Sequence, residues 1–365
     1  MFYLYFYIIS SAFRRLQDKT QVFPLDKSDF VRTRLTHSVE VSTIARQLGI
    51  MITRNNTKYL PPEFKENKYN EVEKIPSILS CAGLLHDIGN PPFGHFGEVV
   101  IGDWFQKELE KDNFIYKGKS IKNVLNEQMR KDLCHFEGNA QALRILSKIS
   151  NKEVSHEINL TKGVISALIN QGYDVDKAKL LIGDLEKRIE KAENNNIECI
   201  EEAYMIALQN WMDYARQWFM YCVAYSFSKN YQEIMRGTYN KELISNTFHE
   251  ASMEILKSAM KKFVYIDSEI VKLELSADKM LSALLNDFIY AVIYFDEKDE
   301  TCKQTQKAKK LCGLLPENLR EDYFHAKKED DAFNLYLRFL MVTDFISGMT
   351  DSYAKNLYQE LNGIR

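Results

Sequence analysis

Nowhere in the 365 residues does a Cys-x-x-Cys pair occur. The cysteines stand singly at Cys81, Cys134, Cys199, Cys222, Cys302 and Cys312, a pattern that argues against a zinc ribbon and against a disulfide scaffold. Cys81 lies on an apolar helical face and reads as a small core hydrophobe, so the expected compartment is the reducing cytosol. Net charge is also scarce. The 48 Lys and Arg against 51 Asp and Glu leave −3, which gives no overall pull toward nucleic acid or an anionic membrane. A glycine loop that could cradle phosphate, a βαβ alternation and an internal repeat are all missing. Residues 1–9 are apolar and aromatic but too short to span a bilayer. They carry neither a basic leading segment nor a small-residue cleavage site, and read as a buried or atypical start. No membrane partner is expected.

What is present is ordinary globular material, 45% hydrophobic and 27% charged, organised by helical spacing. The spacing predicts helices over residues 11–21, from about 35 to 48, up to 87, from 95 to about 110, and from 135 to 146. Further helices are predicted over 160–169, 174–189, 203–230, 241–262, 277–294, 332–349 and 351–361. Residues 55–74, 112–122 and 187–202 read as loops, and the charged run 296–310 as a surface connection. Residues 264–266 and 271–275 have the composition of short strands, but the class is all-α. The aromatics of residues 203–230 fit a core or a subunit interface better than a ligand site. The chain is expected to divide at about residue 190, with 1–190 as the core and 191–365 as a helical region packed on it, the two forming one continuous globular unit.

One stretch concentrates chemistry. Residues 84–98, Leu-Leu-His-Asp-Ile-Gly-Asn-Pro-Pro-Phe-Gly-His-Phe-Gly-Glu, hold two imidazoles, two carboxylates, three glycines and two prolines. His86 and Asp87 close an apolar helix, Gly89 and the two prolines turn the chain, and a new helix carries His95 and Glu98 three apart on one face. A His-Asp pair at a buried helix end is costly unless something compensates the carboxylate, and a metal ion would. His86 alone would read as a core histidine beside a helix-capping aspartate, but His95 and Glu98 nearby favour a site. His37, near the start of the second helix, and Asp176, at a later helix start, are further oxygen and nitrogen donors. With His86 and Asp87 they suit Mg²⁺ or a divalent transition metal such as Mn²⁺ better than a thiolate-loving ion. His95 and Glu98 read as a proton-transfer histidine and its orienting carboxylate. Arg14, Arg15, Lys19 and Arg32 read as solvated surface, which leaves Arg34 and Lys177 as cations for the site.

The order His, His-Asp, Asp resembles that of the HD phosphohydrolase superfamily. Longer stretches resemble the deoxyguanosine triphosphate triphosphohydrolase family in particular: residues 11–23, Arg34-Leu35-Thr36-His37-Ser38, His86 to Glu98, residues 135–141 and residues 344–351. The resemblance implies an all-α HD-domain bundle with additional C-terminal helices. It also implies water attack on the α-phosphate of a deoxynucleoside triphosphate, giving a deoxynucleoside and intact triphosphate. It places His37, His86, Asp87 and Asp176 on the metal and gives His95 and Glu98 catalytic roles. It assigns Gln21 and Asp184 to the sugar 3′-hydroxyl, Arg34 and Lys177 to phosphate, and His135 to the substrate site. Leu180 stands where relatives carry a sugar-stacking tyrosine, which implies weaker rejection of ribose. A homo-oligomer is expected, with room for a nucleotide or single-stranded DNA effector. The competing expectations are another HD phosphohydrolase, acting on a nucleoside monophosphate or a guanosine alarmone, and a nucleotide-sensing or DNA-binding protein with a weak site.

Overall fold

In the computed structural model the described residues are 8, 10–19, 33–55, 69–153, 187–188, 191, 200–263, 268–297 and 304–364. Their regular structure is helical apart from one two-stranded hairpin, and the fold is all-α. The chain forms two compact units. One comprises Met1–Ser38, Leu85–Ile158 and Ser268–Arg365, the other Val39–Leu84 and Asn159–Asp267.

In the first unit a short helix α1 (Ser11–Arg14) runs into a single 3₁₀ turn, tighter and shorter than the helix expected to reach residue 21. Helix α2 (Arg34–Asn55) begins here, with the Arg34 amide donating to the Lys19 carbonyl at 2.8 Å. Helix α3 (Tyr69–Leu85) enters from the second unit and ends at the His-Asp pair, and α4 (Gly94–Leu109) follows the turn. Residues 112–122, expected to be a loop, instead contain β1 (Ile115–Tyr116) and β2 (Lys119–Ser120), paired antiparallel across a turn in which Lys117 and Gly118 both have positive φ. Then come α5 (Ile121–Val124), α6 (Glu127–Cys134) and α7 (Gly138–Glu153).

The axis of this unit's core is a later helix, here α11 (Ser268–Val292), whose Ala277, Leu281, Leu285, Phe288, Ile289 and Val292 are fully buried. Around it pack α4, through Ile101 and Phe105, and α14 (Asp331–Ser347), through Leu335, Phe339, Val342 and Ile346. Each fully buried side chain of this kind contributes roughly 1.5–3 kcal/mol. Residues 271–275, which have strand-like composition, are therefore helical. Ile270, Ala277, Leu281 and Leu284 form the buried stripe of this helix, and Val271 is the one β-branched residue among 271–275. Between these helices lie α12 (Gln306–Leu314) and α13 (Glu317–Ala326), inside and just beyond the expected surface connection. Asp330 caps α14 by accepting from the Phe333 amide at 3.0 Å, and Thr350 caps α15 (Asp351–Leu361) by accepting from Tyr353 at 3.2 Å.

In the second unit α2 and α3 are joined through Ser42, which donates to the Ser80 carbonyl at 2.8 Å. The long helix α8 (Ile200–Lys229) is followed by α9 (Tyr231–Met235) and α10 (Glu250–Phe263). Residues 241–249 are turns, so the helix expected from residue 241 starts later. Likewise α3 starts at Tyr69, inside the expected loop 55–74. Met51, Ile52 and Ala224 form a small core with Leu79, Met220 and Phe227. Of the α8 aromatics Trp211 is buried, whereas Tyr214, Trp218, Tyr221 and Tyr225 are exposed, and the last three line a hollow of about 470 Å³. Cys81, Cys134, Cys222 and Cys312 carry free thiols. Among the described residues no helix is long and apolar enough to cross a membrane.

Candidate metal centre

The turn after α3 brings three donors together. His37 from the first turn of α2 and His86 and Asp87 from the turn offer ligand atoms that all lie within 4.8 Å of one another. The two imidazoles meet edge to face with ring centroids 5.2 Å apart, and both are half-buried, whereas Asp87 is buried. Asp176, the fourth donor expected from the sequence, lies outside the described residues, as do Gln21, Lys177, Leu180 and Asp184.

The two oxygens of Asp87 differ. Oδ1 accepts from the Asn90 side-chain amide at 2.8 Å and has His86 Nε2 at 3.3 Å. Oδ2 faces Arg34 Nη1 at 2.9 Å and His37 Nε2 at 4.0 Å, yet makes no hydrogen bond of acceptable geometry among the described residues. Nε and Nη1 of Arg34, a side chain only 1% exposed, are likewise unbonded. A buried carboxylate oxygen beside two imidazoles that accepts no hydrogen bond among the described residues fits a hard or borderline divalent cation. The donor set therefore suits the metal ion that the sequence pattern suggests.

Lys19 braces the site from below. Taken by sequence as solvated surface, it is 2% exposed and donates to the backbone carbonyls of Asn90, at 2.6 Å, and Ser347, at 2.7 Å. Burial pushes its ammonium down to about 7; Arg34 and Arg15 push the same way, and Asp351 and Asp87 oppose them. The corner that follows is strained: Phe93, with φ 63°, sits in the left-handed region, which is costly for a bulky residue. The buried Asp351 carboxylate holds it by accepting the Phe93 amide at 2.9 Å.

Beyond that corner α4 presents His95 and Glu98 one turn apart, as the sequence predicts. His95 Nδ1 is 2.9 Å from Glu98 Oε2, and the imidazole is exposed while the carboxylate is nearly covered. Glu98 Oε1 accepts from the Gly138 amide at 3.1 Å. The hydrogen bond to Glu98 raises the pKa of His95 above its ordinary value, against the partial burial that lowers it. His135 is exposed and its Nδ1 lies 3.0 Å from the Lys131 carbonyl, at the end of α6.

The start of α7 packs against the turn. A Cβ on Gly89 would strike the Ala142 amide and the Gly138 carbonyl, so only glycine fits there. Gln141 donates to Asp344 at 2.8 Å and to Ser347 at 3.0 Å, and Arg144 binds both Asp344 oxygens, at 2.8 and 3.0 Å. A cavity of about 610 Å³ backs onto this network, lined in part by Arg15, Lys19, Ile88, Gln141 and Asp344, but none of the three metal donors lines it. Asn90, Asp344 and Asp351 lie in stretches that carry the family resemblance, but the sequence assigned them no role. A local signal existed for Asn90, an amide three residues after an aspartate in a Gly-Asn-Pro-Pro turn.

Comparison with known proteins supplies the family. An HD domain profile matches residues 34–158, and a phosphohydrolase-associated domain profile matches residues 244–360. A deoxyguanosinetriphosphate triphosphohydrolase-like protein of Listeria monocytogenes is 38% identical over 98% of this chain and 92% of its own length. Deoxyguanosinetriphosphate triphosphohydrolases of Yersinia enterocolitica and Salmonella typhimurium are 27% and 26% identical, over 96% and 98% of this chain and 91% and 92% of theirs. With the three donors gathered at the end of α3 and this match along nearly its whole length, the chain belongs to the deoxyguanosinetriphosphate triphosphohydrolase-like family of HD-domain proteins.

Proposed function

We propose that this HD-family hydrolase is a metal-dependent deoxynucleoside triphosphate triphosphohydrolase, releasing a deoxynucleoside and intact inorganic triphosphate. The observation that carries the reading is the convergence of His37, His86 and Asp87, with a buried carboxylate oxygen left without a hydrogen bond. In this reading these three residues and Asp176 hold Mg²⁺ or Mn²⁺. When bound, the ion supplies charge neutralisation for a phosphate and acidifies water. Arg34, buried beside Asp87 with two unbonded donor nitrogens, is placed to receive a phosphate oxygen once the ion takes over its share of the carboxylate's charge. His95, exposed and held by Glu98, gives or takes the proton. Lys177 and His135 are assigned to the substrate, and Gln21 and Asp184 to the sugar 3′-hydroxyl.

The test is product analysis after incubation with each dNTP, first with Mg²⁺ and then with Mn²⁺. Triphosphate and a deoxynucleoside in equal amounts are expected. Release of pyrophosphate or orthophosphate would place the chain among other HD phosphohydrolases, and no turnover of any dNTP would reject the reading. A homo-oligomer, and control by a nucleotide or single-stranded DNA, belong to the same proposal. Sizing with and without each added effector checks them.

A further inference from the structure

We infer that Asn90 is the positioning residue of the metal centre, and that Gly138 seats it together with the proton-transfer pair. The inference rests on the metal reading given above and deepens it.

Asn90 is 3% exposed and is tied at both ends. Its side-chain amide donates to Asp87 Oδ1 at 2.8 Å, and its backbone carbonyl accepts from the buried Lys19 ammonium at 2.6 Å. The same ammonium donates to Ser347 at the end of α14, so the turn is anchored to the core of its unit. A carboxylate that gives one oxygen to a fixed amide cannot rotate freely. Its second oxygen, Oδ2, faces Arg34 Nη1 at 2.9 Å and is buried without a hydrogen bond of acceptable geometry among the described residues. Asn90 thereby decides which oxygen of Asp87 is available to an ion. Partners of this kind fix the orientation of a ligand without touching the metal.

Gly138 makes the arrangement joint. A Cβ placed there would run into Asn90 Oδ1 and Glu98 Oε1 at once. The Gly138 amide also donates to Glu98 Oε1, the carboxylate whose other oxygen holds His95. One glycine at the start of α7 thus touches the residue that orients the metal ligand and the residue that orients the proton-transfer histidine. The two halves of the chemistry share a floor.

The experiment compares Asn90→Ala, Gly138→Ala and Glu98→Gln with the unaltered protein. It measures Mn²⁺ affinity by titration, melting of the metal-free protein, and kcat at saturating Mn²⁺. Asn90→Ala is expected to weaken Mn²⁺ binding about 10- to 100-fold, the range found for residues that orient a metal ligand. It should leave metal-free melting nearly unchanged and recover most of its kcat as Mn²⁺ is raised. Gly138→Ala should lose both Mn²⁺ affinity and kcat at saturating metal, whereas Glu98→Gln should lose kcat alone. Unaltered Mn²⁺ affinity in Asn90→Ala overturns the inference while leaving the metal reading intact. So does a lowered melting temperature with unaltered affinity, the mark of a merely structural role. Should Gly138→Ala fail to fold, Asn90→Ala still decides. An unaltered protein that binds no Mn²⁺ rejects the metal reading and the inference together.

Discussion

His95 and Glu98 divide one task between opposite environments. The imidazole is 79% exposed and can meet a substrate, while the carboxylate is 11% exposed and fixed at both oxygens, by His95 and by the Gly138 amide. His95→Ala should therefore lower kcat by roughly 10²- to 10⁴-fold without changing metal stoichiometry, which metal analysis of the purified variant checks. Loss of metal with activity would instead make His95 a ligand. Glu98→Gln removes the bond that raises the imidazole's pKa, so the limb of the pH–rate profile that reports His95 should move to lower pH. The sign for stability follows from the same raised value. The pair's contribution is complete below the unfolded histidine pKa, about 6.5, and is lost as pH rises through the higher folded value. Both residues, with His86 and Asp87, were legible because they crowd a short stretch of apolar sequence. Lys19 was not. Its acceptors stand 71 and 328 positions away, so sequence showed only a lysine among arginines and a surface reading was the natural one.

At the scale of elements, the long helices with uninterrupted apolar spacing were readable, and the exceptions have local causes. Residues 271–275, Val-Lys-Leu-Glu-Leu, alternate apolar and charged side chains, yet they are exposed or half-buried and lie between the buried Ile270 and Ala277 of one continuous helix, so the alternation marks no strand. The hairpin at residues 115–120 was missed because its strands are two residues long and one of its turn residues, Lys117, takes positive φ without being Gly or Asn. Nor does any periodicity announce the tie between α7 and α14, which is polar. Asp344 is 9% exposed and accepts from Gln141 and from both ends of the Arg144 guanidinium. Asp344→Ala removes the acceptor that Gln141 and Arg144 share, leaving Gln141 its bond to Ser347, and Arg144 is only partly open to water. Destabilisation of about 1–3 kcal/mol is expected in urea unfolding followed by far-ultraviolet circular dichroism. A cost near zero would mean that solvent replaces Asp344 and that the tie between the two helices contributes nothing.

For the whole molecule, the candidate site was legible before the architecture was. The three clustered candidate donors His37, His86 and Asp87 and the proposed proton-transfer pair lie within residues 37–98, but the unit that contains them is assembled from three separated segments, the last being Ser268–Arg365. No pattern along the chain tells that Ser347 and Asp351, near its end, hold a lysine at position 19 and the corner at Phe93. This assembly makes a prediction about metal binding. An ion held by His37, His86 and Asp87 binds the folded first unit and not its unfolded form. At 100 times its dissociation constant it should stabilise that unit by about 2.7 kcal/mol. Amides that exchange only when the unit unfolds should then slow by roughly 100-fold, since each 1.4 kcal/mol is a factor of ten. Hydrogen exchange with and without Mn²⁺ should show this slowing in α4, α7, α11 and α14 together, although α11 and α14 contribute none of the three donors. Slowing limited to residues around the turn at 86–90 would show that the ion stiffens its ligands without being coupled to the fold of the unit. The metal centre would then be a local attachment rather than a part of what holds the first unit together.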